Sequence, residues 1–313
     1  MSSWILRQLQ NTFVYKPIIE QKAITVIDPP LFDTVFFEVR TRCNGECAFC
    51  LAAVKTDPRK DEVMSPELHK KVLQELRDIN FQGRIAYHNN SDPLIFKDLA
   101  EFIAVAKEIF PQNRIQILTN GKALSLKKAE KLIQVGVNEL IINHYHDDLN
   151  TELPKAFLEI ATSILPKYFS QDELTINGIE PKLASKNPLF IYKIVRREVS
   201  NILTSRAGTS PNKKEPTPKP RGFCQFPWTQ FIITANGRVA LCCNDVLFVE
   251  DVGNVIDESV MDVWRGAKFQ HYREKLIKGE RHAIPNTCAK CDNYGIKKPK
   301  NTWLAKKLFK YTK

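Results

Sequence analysis

The sequence predicts an α/β fold with parallel strands, followed by a small and differently built C-terminal domain. Three observations predict it. Between residues 34 and 195, short apolar or β-branched runs alternate with stretches of helical period, the pattern of parallel strands joined by helical crossovers. The strand runs end in polar or glycine-bearing turns, at the strand ends where open α/β sheets collect their ligands. Beyond residue 204 a stretch rich in Pro, Lys and Ser breaks the alternation, and a hairpin pattern follows it.

The chain of 313 residues suits one large domain with a smaller appendage. No apolar run approaches the roughly 20 residues of a membrane span, and the first residues lack the apolar core of a signal peptide. Eight cysteines fall in clusters. Without an export signal this points to metal ligation in a reducing cytoplasm, the expected location, rather than to disulfides. The formal charge is +11, and residues 297–313 carry seven lysines and no acid. No nucleic-acid module is recognisable, so an acidic peptide or protein partner is expected in preference to nucleic acid.

Residues 1–30 read as an N-terminal extension that stops at Pro29 and Pro30. Thr34, Val35, Phe36, Phe37 and Val39 then make a buried strand. A polar connector, 56–61, follows the first cysteines. Ser65, Pro66 and Glu67 read as N-cap, first-turn proline and first-turn acid of a helix, with Leu68, Val72, Leu73, Leu76 and Ile79 at helical spacing. Further strands are expected at 83–87, 114–118, 139–143 and 190–195, and further helices at 99–110, 125–135 and 151–165. About six βα units are too few for a closed eightfold barrel. The barrel is expected to span 31–203. A linker follows at 204–222, where four prolines between 211 and 220 forbid regular structure. Then come a second domain at 223–295 and a basic amphipathic tail at 296–313.

Cys43, Cys47 and Cys50, at offsets of four and three, sit directly after the first strand. Three thiolates in eight residues can hold one metal centre, and an iron–sulfur cube held by three leaves one iron open. The spacing by itself also admits a structural zinc loop or three buried thiols. With its preceding strand, the C-x3-C-x2-C pattern resembles the signature loop of radical S-adenosylmethionine (SAM) enzymes. That resemblance implies an open (β/α)6 partial barrel and a 4Fe–4S cluster whose free iron chelates SAM. It also implies reductive cleavage to a 5′-deoxyadenosyl radical that takes a hydrogen atom from substrate, and an electron donor such as flavodoxin or ferredoxin. Phe49 matches the aromatic residue that packs on the adenine. Asn90, Ser91 and Asp92 occupy the place of a Gly-Gly-Glu segment that holds the SAM amino group. Thr119 and Asn120 match a family turn, and Asn143 a polar position near the ribose. Ordinary turn chemistry also accounts for these residue types. His144 and His146 beside Asp147 and Asp148 admit a metal shell or contacts to SAM or substrate. Arg206, just before the linker, admits a grip on a carboxylate or phosphate, or a cap.

In the second half, Cys224 is followed by the apolar residues Ile232 and Ile233, the turn residues Asn236 and Gly237, and then Val239, Leu241, Cys242 and Cys243. Strand, Asn-Gly turn and strand form a hairpin signal that brings Cys242 near Cys224, and Cys288 and Cys291 add a C-x2-C pair. Four thiolates close a cluster with no open iron; they also suit structural zinc. The run C-x12-G-x4-C followed by C-x2-C resembles the SPASM/twitch extension of radical SAM enzymes, which implies one auxiliary 4Fe–4S cluster on Cys224, Cys242, Cys288 and Cys291, with Cys243 left over. Enzymes of this layout act on ribosomally made precursor peptides or dehydrogenate aminocyclitols and sugar alcohols. The basic tail favours an acidic precursor peptide, presented by a separate recognition protein because the 30 residues ahead of the barrel are too few to do so. A non-enzymatic iron–sulfur scaffold is the remaining alternative.

Overall fold

The computed structural model of the chain describes residues 19–20, 24–199, 205–212, 222–293 and 295. The basic tail and most of the proline-rich linker lie outside the described residues. Two compact units emerge. The barrel unit takes Thr34–Asn201 with Ile233–Gly237; the C-terminal unit takes Ile202–Ile232 and Arg238–Lys313 together with Met1–Asp33, as far as these are described.

In the barrel unit, β1 (Thr34–Phe37), β2 (Arg84–Tyr87), β3 (Ile115–Thr119) and β4 (Glu139–His146) alternate with α1 (Pro66–Asp78), α2 (Leu99–Ile109) and α3 (Leu126–Gln134). Helix starts follow the sequence: Ser65 Oγ accepts from Leu68 N with Pro66 in the first turn, and Ser125 Oγ accepts from Lys128 N. After α4 (Lys155–Glu159) come β5 (Leu174–Asn177), β6 (Leu183–Ala184) and β7 (Phe190–Glu198). The strands lie in the order β1-β2-β3-β4-β7-β5-β6. All neighbours are parallel except β6, which runs antiparallel to β5.

The sheet is open and has six parallel strands, but the last third departs from the simple repeat. β7 inserts between β4 and β5, and no helix joins β5 to β7. β5 has only four residues and β6 two, too little pattern to single out as strands. β4 and β7 run past residues 143 and 195 because they pair continuously as far as His146 and Glu198. The helix expected at 151–165 starts only at Lys155, since Pro154 disfavours helical backbone at Leu153. It then widens into a π segment, Ile160–Ile164, just ahead of Pro166, which has no N–H to continue the ladder.

The pleat separates two faces. Val35, Ile85, Ile117, Leu140, Ile142 and Tyr192 are buried on the face the helices cover, where Tyr87 Oη donates to Phe102 O in α2 and Tyr192 Oη to Phe157 O in α4. On the other face Phe36, Leu118, Ile141, Ile191, Lys193 and Val195 are only half-buried.

The C-terminal unit contains α5 (Phe226–Thr229), β8 (Gln230–Ile233) except its last residue, β9 (Val239–Ala240), α6 (Val260–Arg265) and α7 (Ala267–Ile277). The turn of the expected hairpin, where Gly237 N donates to Thr234 O, falls in the stretch Ile233–Gly237 grouped with the barrel unit; the C-terminal unit keeps the rest. Its core is aromatic. The fully buried Arg273 guanidinium lies 4.0 Å from the Trp264 ring centre and 4.5 Å from that of Phe269, and donates to Pro227 O. Residues 24–33 belong to this unit: Trp228 Nε1 donates to Thr25 O, Trp264 Nε1 to Pro30 O, and Phe32 stacks on Phe231.

Candidate active site

The loop carrying Cys43, Cys47 and Cys50 leaves the C-terminal end of β1. Its tight turns are set by Cys50 N donating to Cys47 O and by Gly45 N facing Cys43 Sγ at 3.3 Å. Burial pushes the Cys43 thiol up to about 11. Beside the loop lies a cavity of about 350 Å³ whose wall includes Gly45, Cys47, Asn120, Gly121, Tyr145 and Phe157. These residues come from the cysteine loop, the ends of β3 and β4, and the start of α4, so the cavity sits beyond the C-terminal strand ends, as parallel sheets dictate. Gly121 is required there. Its φ is +80°, and a Cβ would stand 2.5 Å from Phe157 Cζ.

Of the residues expected from sequence, Cys47 and Asn120 line this cavity. Asn120 Nδ2 donates to Asn44 Oδ1 at 2.8 Å and lies 3.6 Å from Cys43 Sγ, tying the β3 end to the cysteine loop. Phe49 is buried with its ring 5.3 Å from that of Tyr145, a cavity residue. Asn90, Asp92, Thr119 and Asn143 are buried. The Asp92 carboxylate accepts from Thr119 Oγ1 at 2.8 Å, Asn120 N at 2.8 Å and Leu94 N at 3.0 Å. Asn90 O accepts from Arg59, and Asn143 Oδ1 from Arg197 Nε at 2.8 Å. Ser91 is half-buried between them. His144 also lines the cavity, and burial with Arg196 and His146 nearby lowers its pKa. His146 Nδ1 instead accepts from Asp148 N and meets Thr151 Oγ1.

Sequence reasoning missed Arg59, which lies in the stretch read as a polar connector. It is the centre of a buried network with Glu38 and Asp57. A signal was available: Glu38 continues an apolar strand, and a buried carboxylate demands a cation.

In the C-terminal unit Cys224, Cys242, Cys288 and Cys291 line one small cavity together with Arg281, and Cys243 is absent from that wall. Cys243 lies instead by Arg206 and Gln230. The strand after the Asn-Gly turn is too short to reach the two adjacent cysteines. β9 ends at Ala240, and both lie in the bend after it, so the turn of the chain and not the pleat divides them. Arg206 and Ala207 have φ of +47° and +54°, and Ser205 is pinned by its N–H to Asp292 and its hydroxyl to Lys290 O. Gly295 presses on Cys224: its φ is +69°, and a Cβ there would stand 2.2 Å from Cys224 Sγ.

Two family models match the chain. The radical SAM superfamily matches residues 37–164, and an iron–sulfur cluster-binding domain, SPASM, matches residues 224–292. A curated relative, the S-adenosyl-L-methionine-dependent 2-deoxy-scyllo-inosamine dehydrogenase of Niallia circulans, is 25% identical over 266 residues, 85% of this chain and 95% of that protein. Among solved structures, BtrN in complex with AdoMet and 2-DOIA aligns with a TM-score of 0.65 at 24% identity, over 85% of this chain and 95% of that one. Native anSMEcpe with bound AdoMet aligns at 0.51 and 12%, over 90% of this chain and 96% of that one.

The residues present fit the cofactors this family implies. Burial and neighbouring thiols hold Cys242 well above its ordinary pKa, and burial raises Cys288 and pushes Cys291 to about 11. Such enclosed thiols ionise only against a positive centre, which iron supplies. The chain belongs to the radical SAM enzymes, uses SAM and 4Fe–4S clusters, and carries a SPASM-type iron–sulfur domain after its open parallel barrel.

Proposed function

We propose that the chain is a SAM-dependent dehydrogenase of a hydroxylated ring, an aminocyclitol or a sugar alcohol. The observation that carries this is the division of its cysteines: three on the barrel loop, four around one cavity and one apart. It is supported by the near full-length similarity to a dehydrogenase of that class. When bound, SAM and its cluster supply the radical that takes a hydrogen atom, and the auxiliary cluster supplies an acceptor for the second electron. In this reading Cys43, Cys47 and Cys50 hold the SAM-binding cluster, and Cys224, Cys242, Cys288 and Cys291 the auxiliary one. Phe49 and Tyr145 flank the adenine. Asn90, Ser91 and Asp92 shape the segment that meets the SAM amino group, while Thr119, Asn120 and Asn143 order the neighbouring strand ends. A one-electron donor of flavodoxin or ferredoxin type serves the barrel cluster.

Modification of an acidic precursor peptide with a recognition protein is the second reading. Its support is the basic charge of residues 297–313. The test is anaerobic reconstitution with SAM and reductant against a panel of aminocyclitols, sugar alcohols and acidic peptides, followed by mass spectrometry. Loss of two hydrogens from a ring alcohol, matched one-to-one by 5′-deoxyadenosine, is expected. A mass change in a peptide alone would overturn the dehydrogenase reading. The Cys43→Ala/Cys47→Ala/Cys50→Ala variant should form no deoxyadenosine.

A further inference from the structure

We infer that Arg59 is the positioning residue of the SAM-binding end of the barrel: one buried guanidinium that locks the stem of the cysteine loop to the segment after β2. Its side chain is 8% exposed, and Glu38, just past β1, is fully buried. Nη1 donates to Glu38 Oε1 at 2.6 Å, Nε and Nη2 make a fork on Asp57 at 2.9 Å each, and Nη2 also reaches Asn90 O at 2.8 Å and Thr41 O at 3.3 Å. Glu38 completes the ring by accepting from Asn89 Nδ2 at 3.0 Å and Asn90 N at 3.4 Å.

This arrangement is costly unless it positions something. Burying a carboxylate and a guanidinium typically gains little over apolar packing, and helices or hydrophobic contacts would hold a loop more cheaply. What the fork provides is geometry. A planar guanidinium fixes several acceptors at once, which an ammonium on a flexible stem cannot do. The backbone acceptors, Thr41 O and Asn90 O, lie two residues before Cys43 and one residue before Ser91. Arg59 therefore sets the distance between the loop that bears the cluster thiols and the segment that meets the SAM amino group. In doing so it takes up Asn90 O, while Ser91 beside it makes no hydrogen bond among the described residues. The inference rests on the reading that residues 90–92 lie against bound SAM.

The test uses the reconstituted holoenzyme and reads SAM binding, iron content and the electron paramagnetic resonance change on adding SAM. Arg59→Lys keeps the charge that Glu38 and Asp57 need but loses the fork. It should melt near the wild type and keep the auxiliary cluster, yet its Kd for SAM should rise about tenfold or more, the usual loss when an outer-shell partner is removed. Its rate at saturating SAM should fall far less than its affinity, a split that mere loss of folded protein would not give. Loss of the barrel cluster's iron alone would support the inference equally, since the brace reaches the loop through Thr41 O. In Arg59→Ala, added methylguanidine should restore SAM binding. Asp92→Asn separates the two claims. If it weakens SAM binding while Arg59→Lys, folded and fully loaded, binds SAM as the wild type does, the positioning role is overturned and the reading of 90–92 stands. If neither variant changes SAM binding, both are overturned.

Discussion

Gly295→Ala is a single-methyl change outside both cysteine motifs, and the structure gives it a large effect on the auxiliary cluster. Gly295 has φ +69°, a region that costs a non-glycine residue about 1–2 kcal/mol. Its backbone cannot back away freely, because its carbonyl accepts from Gln225 N at 2.9 Å and its N–H donates to Asn293 Oδ1 at 2.8 Å. The new Cβ would stand 2.2 Å from Cys224 Sγ and 2.7 Å from Cys224 Cβ, where an ordinary contact is about 3.5–4.0 Å. Cys224 must therefore shift by more than about 1 Å, whereas a metal–ligand bond tolerates about 0.2 Å. The displacement exceeds the tolerance several-fold, so under the proposed ligand assignment Cys224 is lost as a ligand. Iron should fall from about eight to about four per chain, while SAM still binds and is still cleaved at the barrel cluster. Iron analysis, electron paramagnetic resonance and deoxyadenosine formation read the three quantities separately. A Gly295→Ala protein that keeps both clusters with an unchanged auxiliary signal would refute the reasoning.

The choice between the adjacent cysteines gives a second prediction. Cys242→Ala should bring iron down to about four per chain, because its thiol shares the cavity of Cys224, Cys288 and Cys291, whereas Cys243→Ala should keep about eight; iron loss that follows Cys243 would reverse the assignment. The third concerns pH. Burial lowers His69 to about 3, and its Nε2 meets Tyr87 Oη at 2.8 Å. A histidine lowered in the fold gives stability that is present above its unfolded pKa of about 6.5 and is lost as pH falls towards 3, about 2 kcal/mol of it by pH 5. His69→Gln should flatten that loss in denaturant unfolding of the barrel unit at pH 7 and pH 5. An unchanged slope would show that His69 is not the group responsible.

The family and the parallel architecture can be read along the chain, as can the grouping of the cysteines. These are local signals: thiol offsets of four and three, C-x12-G-x4-C, Ser65 and Ser125 as caps, and apolar runs of four or five residues. Each is written in adjacent residues whose chemistry constrains the backbone where it stands. Features that depend on residues far apart appear only in the folded chain. β7 could be placed between β4 and β5 only by pairing over its whole length, and two-residue β6 has no pattern of its own to read. Arg59 looked like one charge among several in a polar connector until the fold set it against Glu38 and Asn90. The aspartate at position 92 reads as a ligand contact in sequence, yet in space its carboxylate is spent on Thr119 and Asn120. The same holds for Gly295, which looks like loop punctuation and proves to be the wall behind Cys224. Hydrogen bonds and steric limits of this kind join segments tens to hundreds of residues apart, and no periodicity or spacing along the chain encodes which partner each group will find.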